Sequence, residues 1–280
     1  MKKILLSLCS LLAAFTVASA QDVNEATDVY NKAVEKYSIG ELEAALQNFV
    51  KAHELAKQCG EDGAEIVADC ENNIPGLGNQ IANDLAEKGD YAKGVAVLKE
   101  VVEICTKLGL VEDADRLTKR IPQFFLQQAG QFVKVKDYTQ AITAYNNVLS
   151  YDPTNGSAFL QLGQVLLATG DEQGGLNALE SAIKNGQEKK ASRQLANYFL
   201  KKAKSASTAK NYESALENAK KALTYNPEEA NAYYLGGIAA QALTKNAEAI
   251  SLFEKYLELK PAAGNSQAVR QVVEALKKQK

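Results

Sequence analysis

Few side chains in this sequence have the type and spacing that bond-breaking chemistry requires. His53 is the only histidine. With no second histidine and no cysteine or paired carboxylate beside it, it lacks the partners of a zinc site. Its place next to Ala52 and Leu55 predicts a structural residue at a surface or boundary. Cys9, Cys59, Cys70 and Cys105 contain no Cys-x-x-Cys pair, and neither Gly-x-Ser-x-Gly nor Gly-x-x-x-x-Gly-Lys-Ser/Thr occurs. Gly76-Leu77-Gly78 has no preceding strand for a dinucleotide fold. The acids Asp84 and Glu87 have no base or metal partner in the pattern. Glu41-Leu42-Glu43 and Glu228-Glu229 fall at predicted helix starts, where carboxylates favour the helix dipole without any catalytic duty. The expected chemistry is therefore binding, with no enzymatic activity and no cofactor.

Export is written at the N-terminus. Lys2 and Lys3 precede a mostly apolar run from Ile4 to Val17, and Ala18-Ser19-Ala20 is an A-x-A cleavage signal before Gln21. The run is shorter than the roughly 20 residues of a membrane span, so residues 1–20 are expected to be a removed signal peptide. Cys9 follows Leu8 rather than a small residue and reads as part of that signal. The remainder holds 30 Lys and Arg (32 less Lys2 and Lys3) against 34 Asp and Glu. A net charge of −4 supplies no general basic field for nucleic acid or anionic lipid. No later stretch is apolar enough to span a bilayer. Three cysteines then remain in an oxidising compartment. The helix register puts Cys59 and Cys70 out of step for a disulfide, and the pattern favours buried thiols, with a Cys70–Cys105 bridge as the alternative.

What must position any binding surface is a repeat. One spacing recurs six times: a small residue, a second small residue twelve further on, an apolar residue four beyond that, and another three beyond. The sets are Ala33/Ala45/Phe49/Ala52, Ala82/Gly94/Leu98/Val101, Ala129/Ala141/Tyr145/Val148, Gly163/Gly175/Leu179/Ala182, Ala203/Ala215/Ala219/Ala222 and Gly237/Ala249/Phe253/Tyr256. Small residues at fixed offsets are what close helix crossings demand, so the spacing predicts stacked helical hairpins. Pro153, Pro227 and Pro261 each lie twelve residues after a second small mark, where a helix must stop. Asp90-Tyr91, Asp137-Tyr138 and Asn211-Tyr212 stand where a second helix begins, the Asp or Asn as its cap.

These residues resemble the tetratricopeptide repeat (TPR) family, whose unit is two antiparallel helices in about 34 residues. The likeness is strongest at Ala232-Tyr233-Tyr234-Leu235-Gly236 leading to Ala249, Phe253 and Pro261, and at Ala158-Phe159-Leu160-Gln161-Leu162-Gly163. It implies an all-α, right-handed α-solenoid of about six TPR-like hairpins over residues 21–263, with a C-terminal capping helix over 264–280 carrying Val269, Val272, Val273 and Leu276 on one face. The second small marks are 49, 47, 34, 40 and 34 residues apart. The long early intervals, with Ile74-Pro75 and Ile121-Pro122 placed alike, predict extended first helices around 62–88 and 110–136. Each Pro would sit at a kink or restart, and the added turns would form a projecting fin.

In the TPR family the first helix of each unit lines a groove. The matching positions are Tyr30, Val34 and Tyr37; Asn79 and Asn83; Gln123 and Leu126; Leu160 and Gln164; Asn197, Leu200 and Lys204; and Asn231, Tyr234 and Gln241. This wall is apolar with amides and few charges, suited to the backbone and side chains of an extended peptide. Some family members clamp a carboxylate with paired Lys and Asn, but no Lys or Arg matches beside Asn79 and Asn83 in the adjacent first helices. Together the repeats, the signal, the missing catalytic sets and the net charge lead to the expectation of a non-enzymatic scaffold or adaptor in the bacterial envelope, periplasmic or secreted, holding a protein or peptide partner and no nucleic acid. The alternative is a glycan or peptidoglycan contact module, with Tyr30, Tyr37 and Tyr234 stacking on sugar rings.

Overall fold

The computed structural model describes residues 23–279, and the expected signal peptide and its cleavage site lie outside them. The described residues form fourteen α-helices and no strand. First helices are α1 (Val23–Ser38), α3 (Ala64–Glu87), α6 (Ile121–Lys134), α8 (Gly156–Thr169), α10 (Glu188–Thr208) and α12 (Ala230–Ala242). Their partners are α2 (Leu42–Gln58), α4 (Tyr91–Leu108), α7 (Tyr138–Tyr151), α9 (Glu172–Ala182), α11 (Tyr212–Tyr225) and α13 (Asn246–Leu259). A short α5 (Val111–Thr118) precedes α6, and α14 (Ser266–Lys277) closes the array. Among the described residues no helix is long and apolar enough to cross a membrane. The chain divides into two compact units at Phe124/Phe125, within α6.

The repeated spacing is the core. All 24 of its residues are buried. In unit two, Gly163 of α8 faces Gly175 of α9 so closely that a Cβ on either would lie 3.0 Å from the other's carbonyl oxygen. The first two marks of each set are thus where the hairpin's helices cross, and the last two carry the ridge that packs beneath.

Every hairpin turns in the same way. The residue five before the second small mark is left-handed in all six: Gly40 (φ 79°), Gly89 (81°), Lys136 (61°), Gly170 (93°), Lys210 (59°) and Thr244 (57°). The next residue starts the second helix. Asp90, Asp137, Asp171 and Asn211 do so with the side chain accepting the N–H of Lys93, Gln140, Gly174 and Ser214, respectively. Helices α7, α11 and α13 end two residues before Pro153, Pro227 and Pro261, because the residue before a proline is pushed out of the helical region.

The two Ile-Pro marks have different outcomes. Helix α3 runs unbroken for 24 residues with Pro75 inside it. Its flank of Cys70, Ile74, Pro75, Leu77 and Gly78 is buried, and that packing offsets the lost hydrogen bond. The single extended helix expected over 110–136 is instead two helices, α5 and α6, separated at Lys119-Arg120. Pro122 is the second residue of α6, where it needs no N–H partner, and its ring would press on the Thr118 carbonyl if α5 continued. The 40-residue interval has its own cause. After α9 the chain breaks at Asn185 and Gly186 (φ 83°), and α10, at 21 residues, is seven longer than α8.

In unit one, α1 to α5 pack in chain order, each against the next. In unit two the helices from α7 to α14 do the same, with α10 also beside α12. Val269, Val273 and Leu276 of α14 join the core of Phe253, Tyr256 and Ile250, and so cover the last hairpin.

Candidate functional site

The two units expose different chemistry. In unit one, Tyr30 is half-buried: its hydroxyl donates to Asp69 Oδ2 (3.2 Å) and its ring stands edge-on to Phe49 at 5.7 Å. Burial, then Asp69, raises its pKa above the usual phenol value. Tyr30 therefore ties α1 to its neighbours, whereas Val34 and Tyr37, 43% and 50% exposed, face solvent one and two turns on. Asn79 and Asn83 lie a turn apart on α3 and are both half-buried.

A cation does stand beside these amides, from outside the first helices where the sequence offered none. Arg120, from the break between α5 and α6, donates from Nη2 to Asn83 Oδ1 at 3.1 Å. Its Nε, like Asn79 Oδ1, is buried without a hydrogen-bonding partner. The Arg was missed because a continuous helix over 110–136 gives the wrong facing for residue 120. Gln123 is exposed on α6.

In unit two, Leu126 is half-buried on α6. Leu160, expected on the groove wall, is instead core. It is 7% exposed and packs in the cluster of Leu179, Leu195, Phe199 and Ala232, because its register points between hairpins. Leu200 rests half-buried on that cluster. Tyr234 packs its ring against Tyr256 (5.1 Å) and Phe253 (6.3 Å). The freely presented polar groups are Gln164 on α8, Asn197 on α10, and Asn231 and Gln241 on α12. Of the three tyrosines that stacking on sugar would need, only Tyr37 is exposed.

A wall with few charges is also not what α10 presents. Beyond Lys204, it carries Lys189, Lys190, Arg193 and Lys201 on exposed positions. The signal was in the sequence, as six cations against Glu188 alone over 21 residues, but the whole-chain charge averages it away. Lys202 differs, bonding Glu172 Oε1 at 2.7 Å and lying 5.7 Å from the Tyr198 ring centre.

His53, Cys70 and Cys105 are packed inside the fold. His53 is wholly buried rather than at a boundary. Its Nε2 is 3.1 Å from Glu71 Oε1, which joins α2 to α3, while Nδ1 has no partner. Cys70 and Cys105 are buried free thiols, and burial pushes them up to about 12 and about 11, away from the reactive thiolate. Asp84 lines an open cleft of about 380 Å³ with Glu41, Glu43 and Lys88 in unit one. Among the described residues no group of three His, Cys, Asp or Glu side chains is placed to hold a metal.

Two family models match the chain: one for the TPR repeat over residues 131–170 and one for the tetratricopeptide repeat over residues 200–264. TPR repeats are thus recognised in unit two, where the spacing is nearest 34. No curated protein matches the chain. Among solved structures it is similar to MamA, at 20% identity over 67% of this chain and 92% of that one, with a TM-score of 0.36. It is similar to MamA 41-end from Desulfovibrio magneticus RS-1 at 20% identity, covering 68% and 97%, TM-score 0.35. It is also similar to YrrB, described as a TPR protein with an unusual peptide-binding site, at 17% identity, covering 70% and 91%, TM-score 0.37.

Proposed function

We propose that this chain is an exported, non-enzymatic scaffold that holds a protein or peptide partner of the cell envelope on the exposed faces of its first helices. The observation that carries the reading is a division of labour along unit two. The repeated small and apolar positions are consumed by packing, whereas Gln164, Asn197, Asn231 and Gln241 stay presented on successive first helices. An amide offers both a donor and an acceptor, so a row of them can satisfy the backbone of an extended segment. The sequence reading of residues 1–20 supports export. The recognised TPR repeats support protein interaction over catalysis.

The test is photocrosslinking of envelope fractions with the mature chain and with a Gln164→Arg/Asn231→Arg/Gln241→Arg variant. These side chains are exposed, so the variant is expected to fold. A partner captured by the parent protein should be lost or weakened at least tenfold. Equal capture by both would overturn the reading.

A further inference from the structure

The charge of this chain is unevenly divided. From Gln21 to Phe124 there are 11 Lys and Arg against 20 Asp and Glu, and from Phe125 onward 19 against 14, which gives −9 and +5. The positive excess is concentrated on α10. Lys189, Lys190, Arg193, Lys201 and Lys204 are all exposed, and none makes an ion pair or side-chain hydrogen bond with the described residues. Elsewhere cations are commonly matched, as in Lys36–Glu41 (2.7 Å), Lys107–Glu103 (2.9 Å) and Lys255–Glu258 (2.7 Å). Like charges one turn apart, as at Lys189 and Arg193, cost a helix a few tenths of a kcal/mol, and nothing within unit two offsets that cost.

The stripe has a usable period. Lys189, Arg193, Asn197 and Lys201 recur every four residues, about 6 Å apart along a helix rising 1.5 Å per residue. An extended polypeptide sends alternate side chains to the same side about 6.6 Å apart. Seven extended residues therefore match the stripe from Lys189 to Lys201, with Asn197 opposite the fifth.

We propose that the exposed face of α10 receives an extended acidic polypeptide segment, with carboxylates at its first, third and seventh residues meeting Lys189, Arg193 and Lys201, and a polar residue at its fifth meeting Asn197. This deepens the scaffold reading by giving the partner's chemistry. A polypeptide fits better than a nucleic acid. Of the two aromatic rings within the stretch, Phe199 is buried and Tyr198 is half-buried edge-on to it (5.5 Å), so neither offers a platform for a base. The chain's net charge of −4 from Gln21 onward also supplies no general attraction for a long polyanion.

The experiment is fluorescence anisotropy on the full mature chain with a labelled heptapeptide, Glu-Ala-Glu-Ala-Asn-Ala-Glu, and its version with Gln for each Glu. The acidic peptide should bind saturably below 1 mM, at least tenfold tighter than the Gln version, and weaken with salt. A Lys189→Glu/Arg193→Glu/Lys201→Glu variant, shown folded by circular dichroism, should lose at least tenfold. A Lys245→Glu/Lys278→Glu variant, which moves net charge elsewhere on the chain, should change affinity less than twofold. The proposal is overturned by no binding at 1 mM, by equal binding of both peptides, or by equal losses in the two variants. Tighter binding of a 20-mer oligothymidylate or of phosphatidylserine vesicles would overturn it as well. If the α10 reversal still captures the envelope partner that the amide variant loses, this inference fails and the scaffold reading stands.

Discussion

Thr244 gives the sharpest test of how the hairpins are built. It holds φ 57° at a turn position that three other hairpins fill with glycine. An L-residue in the left-handed region costs roughly 1–2 kcal/mol, and a β-branched one belongs at the upper end. Glycine removes that strain but loses about 0.5–1 kcal/mol more chain entropy on folding. Thr244→Gly also forfeits the hydroxyl's exposed hydrogen bond to the Leu243 carbonyl (2.7 Å), at the weak end of such bonds. The net expectation is a gain of about 0.5–1 kcal/mol, or about 1–4 °C in Tm for a chain of this length. Gly89→Ala, at the equivalent site with open space around it, should lose a similar amount. Thr244→Ala should lie between parent and Gly. Because repeat arrays can unfold in parts, urea melts should be paired with hydrogen exchange of the α12 and α13 amides, whose protection should rise in Thr244→Gly alone. If Thr244→Gly, Lys136→Gly and Lys210→Gly are all neutral or destabilising, the assignment of strain to this turn position is wrong.

Four further outcomes are expected. Gly175→Ala should destabilise by about 1–3 kcal/mol in thermal melts, since its Cβ would lie 2.6 Å from Leu167 Cγ and 3.0 Å from the Gly163 oxygen, a clash larger than the helix-propensity gain. Leu160→Ala should cost about 2–5 kcal/mol in urea titrations, as for a core residue, whereas Gln164→Ala one turn on should be nearly silent. Asp90→Ala should cost about 1 kcal/mol by removing the cap on Lys93 N–H. The thiols give a pH dependence. Cys70 and Cys105 have folded pKa values raised above the ordinary 9.0, so the unfolded chain deprotonates first and stability falls as pH rises above 9. Urea midpoints should drop between pH 9 and 11, and the slope should shrink in Cys70→Ala; a native thiol titration should show neither Cys70 nor Cys105 reacting at pH 8.

The repeat was legible because helix crossings punish size. Twelve-residue spacing between small residues survives any exchange among Ala and Gly, and every position it marked is buried. The caps were legible for a similar reason, as an Asp or Asn before Tyr has a local partner three residues on. The rest depends on neighbours remote in sequence. Pro75 and Pro122 follow the same Ile, yet only the first is held in a continuous helix, because tertiary burial outweighs the missing N–H there. Leu160 has the register of a wall residue, but its environment is set by Leu179 and Leu195 from two other helices. Arg120 reaches Asn83 across 37 residues, a distance over which pattern says nothing. Lys136, Lys210 and Thr244 conceal a left-handed turn that glycine would have announced.

That turn has a bearing on how such a chain changes over generations. The left-handed residue lies five before the second small mark in all six hairpins, and in two intervals the marks themselves recur at 34. A segment of 34 residues copied or lost between Ala141 and Gly175, or between Ala215 and Ala249, would rejoin turn to turn and crossing to crossing. Unequal recombination in the second half of the gene can thus lengthen or shorten the array by a whole hairpin without shifting its register. In the first half, intervals of 49 and 47 deny it that freedom.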